Sequence, residues 1–411
     1  MTTATYTLSS FEKPSVVHEE IYEPHDRYIV PDPTRRSSST QRALLLQAAR
    51  EQYTLVHDHA IPDPARGEVL VKIVAIGLNP VDWKGPAFNF GIPRLPWING
   101  RDLAGVVVSP TDESSRVQRG DLVLVPSTDY RDIRKAAFQE YAIATAYNAA
   151  RIPSSQCVYA SASLGVAFVA SVLALGVSFG IDFSKNFTGQ GPDLVRTIRG
   201  LNRDNIPADI LDETFSCTLP SADRAQPGDW LAIWGASTTT GYITLQLAKL
   251  AGLHVICVAD VAAHGRKLHG AGADILIDRR DPERAVEIIR GVTGGRLRYA
   301  IDFVGRETAT LLERTLDGTN GDAKAHLLGL TGLPKERQPG IAYHTVPIKL
   351  FHLSPEVGES MVVWLESLLR DGTLRLPEIV RSPGGLGSVN TSLEMLKDGT
   401  ASGKRVVVDL Q

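Results

Sequence analysis

Between residues 230 and 252 the chain reads WLAIWGASTTTGYITLQLAKLAG, with Gly235, Ser237, Thr238, Thr239 and Gly241 following a run of five apolar residues. A run that is apolar throughout suits a parallel strand buried on both faces, and a glycine directly after it permits a sharp turn into a helix. The first turn of such a helix presents amide donors with no intrahelical acceptor, together with the positive end of the helix dipole. A pyrophosphate is the group that this arrangement holds. The hydroxyls of Ser237, Thr238 and Thr239 would add donors, and Gly241 would let helix and strand approach closely. An ordinary junction capped by Ser or Thr looks the same locally. Asp260 weighs against that plainer reading, because it ends HVICVAD 19 positions beyond Gly241, where a carboxylate accepts hydrogen bonds from a ribose diol. The expected ligand is a dinucleotide. Whether it carries a 2′-phosphate is left open by charge: Asp260 would repel one, whereas Arg266, Lys267, Arg279 and Arg280 are close enough in the pattern to bind one.

These residues need a sheet behind them. After WLAIW come HVICVAD, ILID, YAIDFVG and HLLGL, each but the last followed by a helical stretch, and strands and helices alternating in this way give a parallel sheet covered on both faces. Upstream the period is different. EVLVKIVAIGL, DLAGVVV, DLVLVP and FQEYAIA read as short strands separated by Gly and Pro breaks. Between the two regions, LGVAFVASVLALGVSFGI lies in an uncharged stretch long enough to suggest a membrane span, but its many small residues and its place between folded units predict a buried interdomain helix. Residues 180–228 form a polar stretch with one helical piece, PDLVRTIRGL, and predict an insertion or elaborated linker.

Composition sets the outer bounds. A chain of 411 residues suits two domains, and 43% hydrophobic with 22% charged residues is the balance of a soluble globular protein. The net charge of −3 gives no reason to expect nucleic acid or an anionic membrane as partner. Cys157, Cys217 and Cys257 show no CxxC spacing, so no disulfide framework or structural zinc cluster is expected, and a reducing, cytoplasmic setting fits. Residues 1–40 read as a polar arm without an apolar signal core.

Taken together, PARGEVLVKIVAIGLNPVDWK, PWINGRDLAGVVV, FQEYAIA, WGASTTTGYITLQLAKLAG, GADILID, YAIDFVG and GGLGSVNTSLEMLKDGTASGKRVVVDL resemble the medium-chain dehydrogenase/reductase superfamily, in its zinc-free branch of quinone oxidoreductase-like proteins and trans-acting enoyl reductases. The resemblance implies an α/β chain with a GroES-like β-barrel domain, here 41–163 with 347–411, around a Rossmann domain, here 164–346. It implies that Ser237, Thr238 and Thr239 hold phosphates, that Val304, Leu328 and Gly329 at strand ends flank a nicotinamide, and that the active site lies between the domains. Ser163, at the position before the interdomain helix, would touch the nicotinamide or cap that helix. Asn79 and Lys84 of NPVDWK would contact a substrate oxygen or steer the cofactor ribose, with a turn residue and a surface charge as the plainer alternatives. Asp82 would order that loop.

Departures narrow the chemistry. Zinc-dependent relatives carry Gly-His-Glu where this chain has Gly100, Arg101 and Asp102, and none of its ten histidines has ligand spacing to a cysteine or carboxylate. No metal is expected. Oxidising an unactivated alcohol needs help with the alkoxide charge, whereas reducing a conjugated C=C bond needs only hydride, a donor to the carbonyl oxygen and a proton. The expected function is therefore NAD(P)H-dependent reduction of an enoyl, enone or quinone substrate, with NADPH slightly favoured by the family and a polyketide-type synthase as a partner that the trans-acting branch implies. Phe88, Phe90 and Trp97 would wall the substrate. The alternatives are an alcohol dehydrogenase and a non-catalytic dinucleotide-binding protein.

Overall fold

The computed structural model describes residues 39–411 except 110, 111, 113, 186–190, 217–222 and 319–322. The polar arm expected over 1–40 lies almost wholly outside the described residues, as do Cys217 and parts of the 180–228 stretch.

In the N-terminal part, β1 (Thr40–Leu45) and β2 (Thr54–Ala60) form an antiparallel hairpin. EVLVKIVAIG becomes the ten-residue β3 (Glu68–Gly77), followed by β4 (Asp102–Val107), β5 (Leu122–Pro126), β6 (Tyr141–Thr145) and β7 (Ala150–Arg151). β3 is the hub of this sheet: β4 and β6 pair with it antiparallel, β5 pairs with β4, and β7 with β5. Because β3 and β4 are walled on both sides, nearly every one of their residues is buried.

The second sheet is parallel. β8 (Trp230–Trp234), β9 (His254–Ala259), β10 (Ile275–Asp278), β11 (Tyr299–Asp302), β12 (Ala325–Gly329) and β13 (Ile341–His344) lie in the order β10-β9-β8-β11-β12-β13. The first five are the strands expected from the apolar runs. β13, only partly buried, carries too weak an apolar signature to stand out in the sequence. Then the chain returns to the first sheet, where β14 (Ile379–Ser382) pairs with β15 (Arg405–Asp409) and β15 pairs antiparallel with β3.

Between the sheets, the helix Gly165–Leu173 continues into a wider turn, Ala174–Ser178, with almost every residue buried. It packs along the helix Thr239–Leu250, to which Thr244 Oγ1 and Ser171 Oγ tie it at 2.9 Å. The small residues noted in the sequence are what permit this approach. Among the described residues no helix is long and apolar enough to cross a membrane. Against the same core lies the helix Pro355–Arg370, capped by Ser354 and burying Val357, Met361, Trp364, Leu365 and Leu368. Within the 180–228 stretch, the helices Leu194–Arg199 and Ala208–Ser216 also send apolar side chains, Ile198 and Ile210 among them, into that core. Glu213 secures the stretch by accepting from Ser178 Oγ (2.6 Å) and pairing with His344 Nδ1 (3.0 Å) on β13.

Candidate active site

The strand order reverses at β8: β9 and β10 are laid to one side, β11 to β13 to the other. In an open parallel sheet the crevice beyond the carboxyl ends at such a reversal is where ligands bind. Gly235 stands there with φ +82, and a Cβ on it would lie 2.8 Å from Val304 Cγ2 at the end of the neighbouring strand. Gly241 supports the turn from inside, with its Cα so close to Gly235 O that a Cβ would sit 2.5 Å from that oxygen. The amides of Thr239 and Thr240, in the first turn of the helix Thr239–Leu250, have no acceptor among the described residues. A turn of this shape, with free amides and no side chain at its crown, fits a pyrophosphate.

The three hydroxyls divide their work. Thr238 is the N-cap: Oγ1 donates to Gly235 O (2.8 Å) and accepts from Gly241 N (3.0 Å), so its donor is spent on the loop and is not offered to phosphate. Ser237 and Thr239 are half-buried, with no bond from either hydroxyl among the described residues. Thr238→Ala is expected to destabilise the protein by about 1 kcal/mol, the usual worth of an N-cap. Urea denaturation measures it, and a loss under about 0.3 kcal/mol would mean that the cap does not hold the turn.

Asp260, at the end of β9, caps the next helix, Val261–Gly270, through Ala263 N (3.1 Å) and pairs through its other oxygen with Arg280 (3.1 Å). The Ala263 amide, and after it the neighbouring arginines, hold its carboxyl below the usual carboxylate range. Among the cations expected beside it, Arg280 is thus the one in contact. Arg279 and Arg266 are exposed, Arg279 anchored only by its backbone amide on Ala259 O. Lys267 is placed elsewhere. It lies two turns along the helix, donates to Gly403 O (2.8 Å) and covers the Tyr242 ring, so it bridges to the C-terminal segment rather than facing Asp260.

At the crevice floor Val304 is 51% exposed and Leu330 37%, two apolar side chains left uncovered at the carboxyl ends of adjacent strands. Gly329 ends β12 beside them. Leu328 is correctly on that strand but fully buried, and its side chain points into the core instead of the crevice. Asp302 carries no separate signal in the sequence. Its Oδ1 accepts from the amides of Val304 (2.9 Å) and Gly305 (2.7 Å), Oδ2 has no partner among the described residues, and burial pushes the carboxyl upward.

Across the junction lies a buried ionic cluster. Asn79 caps the helix Pro80–Phe88, and its amide nitrogen donates to Asp82 Oδ2 (2.7 Å). Its side chain is fully engaged, with Nδ2 donating to Asp102 Oδ2 (2.9 Å) and Oδ1 accepting from Arg405. Asp102 also accepts from Arg405 (2.8 Å) and from Val166 N (2.6 Å) at the start of the interdomain helix. Asn79 thus spends both side-chain donors inside the junction, on Asp102 and on Gly77 O, and holds that junction together. Lys84 is half-buried beside the Trp83 ring, 5.7 Å from its centroid. Ser163 neither caps nor faces outward: it is buried and donates to Ala160 O (2.6 Å). Of the aromatic wall, Phe88 and Phe90 are exposed, but Trp97 is in the core. Among the described residues, no three His, Cys, Asp or Glu side chains come together as a metal site.

Two family models match the chain, the alcohol dehydrogenase GroES-like domain over residues 65–154 and the zinc-binding dehydrogenase domain over 239–354. Trans-enoyl reductase BOA5 of Botryotinia fuckeliana is 27% identical over 371 residues, covering 85% of this chain and 93% of its own. Trans-enoyl reductase resD of Aspergillus sclerotiorum is 28% identical over 384 residues, covering 88% and 98%. The chain belongs to the medium-chain dehydrogenase/reductase superfamily, in its zinc-free enoyl and quinone reductase branch. The structure of Escherichia coli quinone oxidoreductase complexed with NADPH superimposes with a TM-score of 0.66 at 17% identity, covering 90% of this chain and 99% of that one. In superfamily terms, the first sheet with its returning C-terminal strands is the GroES-like unit, and the parallel sheet is the Rossmann unit.

Proposed function

We propose that this protein reduces a carbon–carbon double bond conjugated to a carbonyl, on an enoyl thioester, enone or quinone. The observation that carries the proposal is the reversal of the Rossmann sheet, where the turn at Gly235, with the Thr239 and Thr240 amides unbonded among the described residues, lies beside the uncovered side chains of Val304 and Leu330. Two named trans-enoyl reductases matched along most of their length support the reaction class. A reduced nicotinamide dinucleotide bound there supplies hydride. The chain's own residues do the rest: the amides of Thr239 and Thr240 receive the phosphates, Asp260 and Arg280 meet the adenosine ribose, and Val304 and Leu330 give the nicotinamide ring an apolar seat. We propose a polyketide-type synthase as the source of the substrate and a reducing, cytosolic setting, in which Cys157 and Cys257 stay free thiols as they are here.

The test is oxidation of NADPH in the presence of a 2-enoyl thioester, an enone and a quinone. Turnover with at least one is expected. Tight dinucleotide binding with turnover of none would favour a binding-only protein instead.

NADPH is the proposed cofactor, because Arg280 already neutralises Asp260 and would turn to a 2′-phosphate in its place. Asp260→Asn should raise the NADPH-to-NADH ratio of kcat/KM about fivefold by removing a like charge. Arg280→Ala should lower it. Both are exposed enough for salt to matter, so ionic strength is held fixed. Ratios within about twofold of wild type in both variants would mean that this pair does not meet the ribose.

A further inference from the structure

Arg101 is 4% exposed, yet its guanidinium has no carboxylate within ion-pair distance and no acceptor among the described residues, and its Nε is buried without a partner. It is held by its surroundings instead: its carbonyl accepts from Ser127 N (2.6 Å), and its guanidinium lies over the Tyr130 ring, 3.7 Å from the centroid. The adjacent Asp102 is no counter-ion, because Arg405, Asn79 and Val166 N already fill it. Two further buried acceptors, Asp82 Oδ1 and Asn99 Oδ1, are unpartnered among the described residues. The Arg101 charge does act on Asp82, drawing its carboxyl down, but burial outweighs it and pushes that carboxyl up to about 7, and the two groups are beyond ion-pair distance. Burying a cation without an anion costs several kcal/mol, and stacking on a ring fixes which way the planar N–H edges point. Such a group is prepared for a negative oxygen that arrives from outside.

We propose that Arg101 receives the carbonyl oxygen of the substrate and holds the negative charge that reduction places on it, with Tyr130 as its platform. The proposal rests on the reductase function above. Hydride from the reduced nicotinamide dinucleotide brings its electron pair to the carbon β to the carbonyl and breaks the C=C π bond. The displaced pair forms an enolate whose charge lies on the oxygen at Arg101. A proton from water then adds to the α-carbon and the carbonyl re-forms. This makes Arg101 a catalytic residue of the preorganised-donor kind, whose removal costs about a hundredfold or more in kcat.

The probe is 4-nitrophenolate, whose charged oxygen mimics the enolate and which needs no reductant. In wild type it should bind, an enone should displace it, and its phenolate absorption should persist to a pH about one unit lower than in water. Arg101→Met should abolish that shift and lower kcat about a hundredfold, with NADPH affinity and Tm kept; Arg101→Lys should retain part of both. An unshifted probe in wild type overturns the proposal, as does a methionine variant with kcat within about threefold of wild type. Should that variant not fold, the wild-type titration and its displacement by enone decide alone. A shifted, displaceable probe in a protein that reduces no C=C substrate would remove the reductase function and leave Arg101 as an oxyanion receptor.

Discussion

Asp102→Ala is expected to destabilise the protein by about 3–5 kcal/mol, the cost of leaving one partner of a buried ion pair alone. Arg405 is 5% exposed and would keep only Asn79 Oδ1, while Val166 N at the head of the interdomain helix would lose its acceptor. Burial opposes both charges, raising the Asp102 carboxyl and lowering the Arg405 guanidinium, so the pair persists through its geometry, with three donors converging on one carboxylate. Asp102→Asn keeps the shape and should cost less. The double variant Asp102→Leu with Arg405→Met should recover much of the loss, because no unpaired charge remains. Urea denaturation of wild type, Asp102→Leu, Arg405→Met and the double variant gives the cycle, and the same measurement reads Asp102→Ala and Asp102→Asn. A loss under about 1 kcal/mol for Asp102→Ala would mean that water already shares the site.

Gly241→Val should reduce dinucleotide affinity at least about a hundredfold, which is about 2.7 kcal/mol. The atoms a side chain would meet are backbone, Gly235 O at 2.5 Å and Ala236 Cα at 2.8 Å. Backbone cannot swing aside as a flexible side chain does, so the turn itself must open, and the amides that face phosphate move with it. Overpacking adds a loss of about 1–3 kcal/mol in stability. Gly291→Ala is the matching control, because a Cβ there meets nothing within 4 Å. Titration by NADPH fluorescence reads the effect. Affinity within about threefold of wild type would mean that the phosphates lie off this turn.

Where a residue's role depends on its neighbours in sequence, that role was legible. WLAIW, HVICVAD and YAIDFVG show their strands because each is apolar over its whole length, and Gly235 and Gly241 show the turn because spacing along the chain fixes it. Long-range partners left no such trace. Asn79, Asp82 and Asp102 each stood out, but Arg405, 303 residues from Asp102, belongs to no pattern that links it to them. For the same reason Lys267 looked like a phosphate ligand: a helix of known start does not say that its second turn will lie against Gly403. The helix Pro355–Arg370 had local signals, Ser354 as cap and Pro355 at the first position; they stood out less than the glycine-rich segment that follows.

The position of β15 bears on how the molecule is made. The Rossmann strands are contiguous from β8 to β13, so that sheet can assemble as it leaves the ribosome, whereas the last three residues of β3, paired on one side with β4, must wait for residues 407–409 to be paired on the other. Until then the barrel has an open edge, the kind of surface that pairs with the wrong chain. Asp102 and Asp82, burial partners in the finished core, meanwhile have no Arg405 beside them. β15, synthesised after the other strands described here, therefore brings both the missing hydrogen-bond ladder and the missing cation, and a nascent chain stalled just short of it should be the species that chaperones hold.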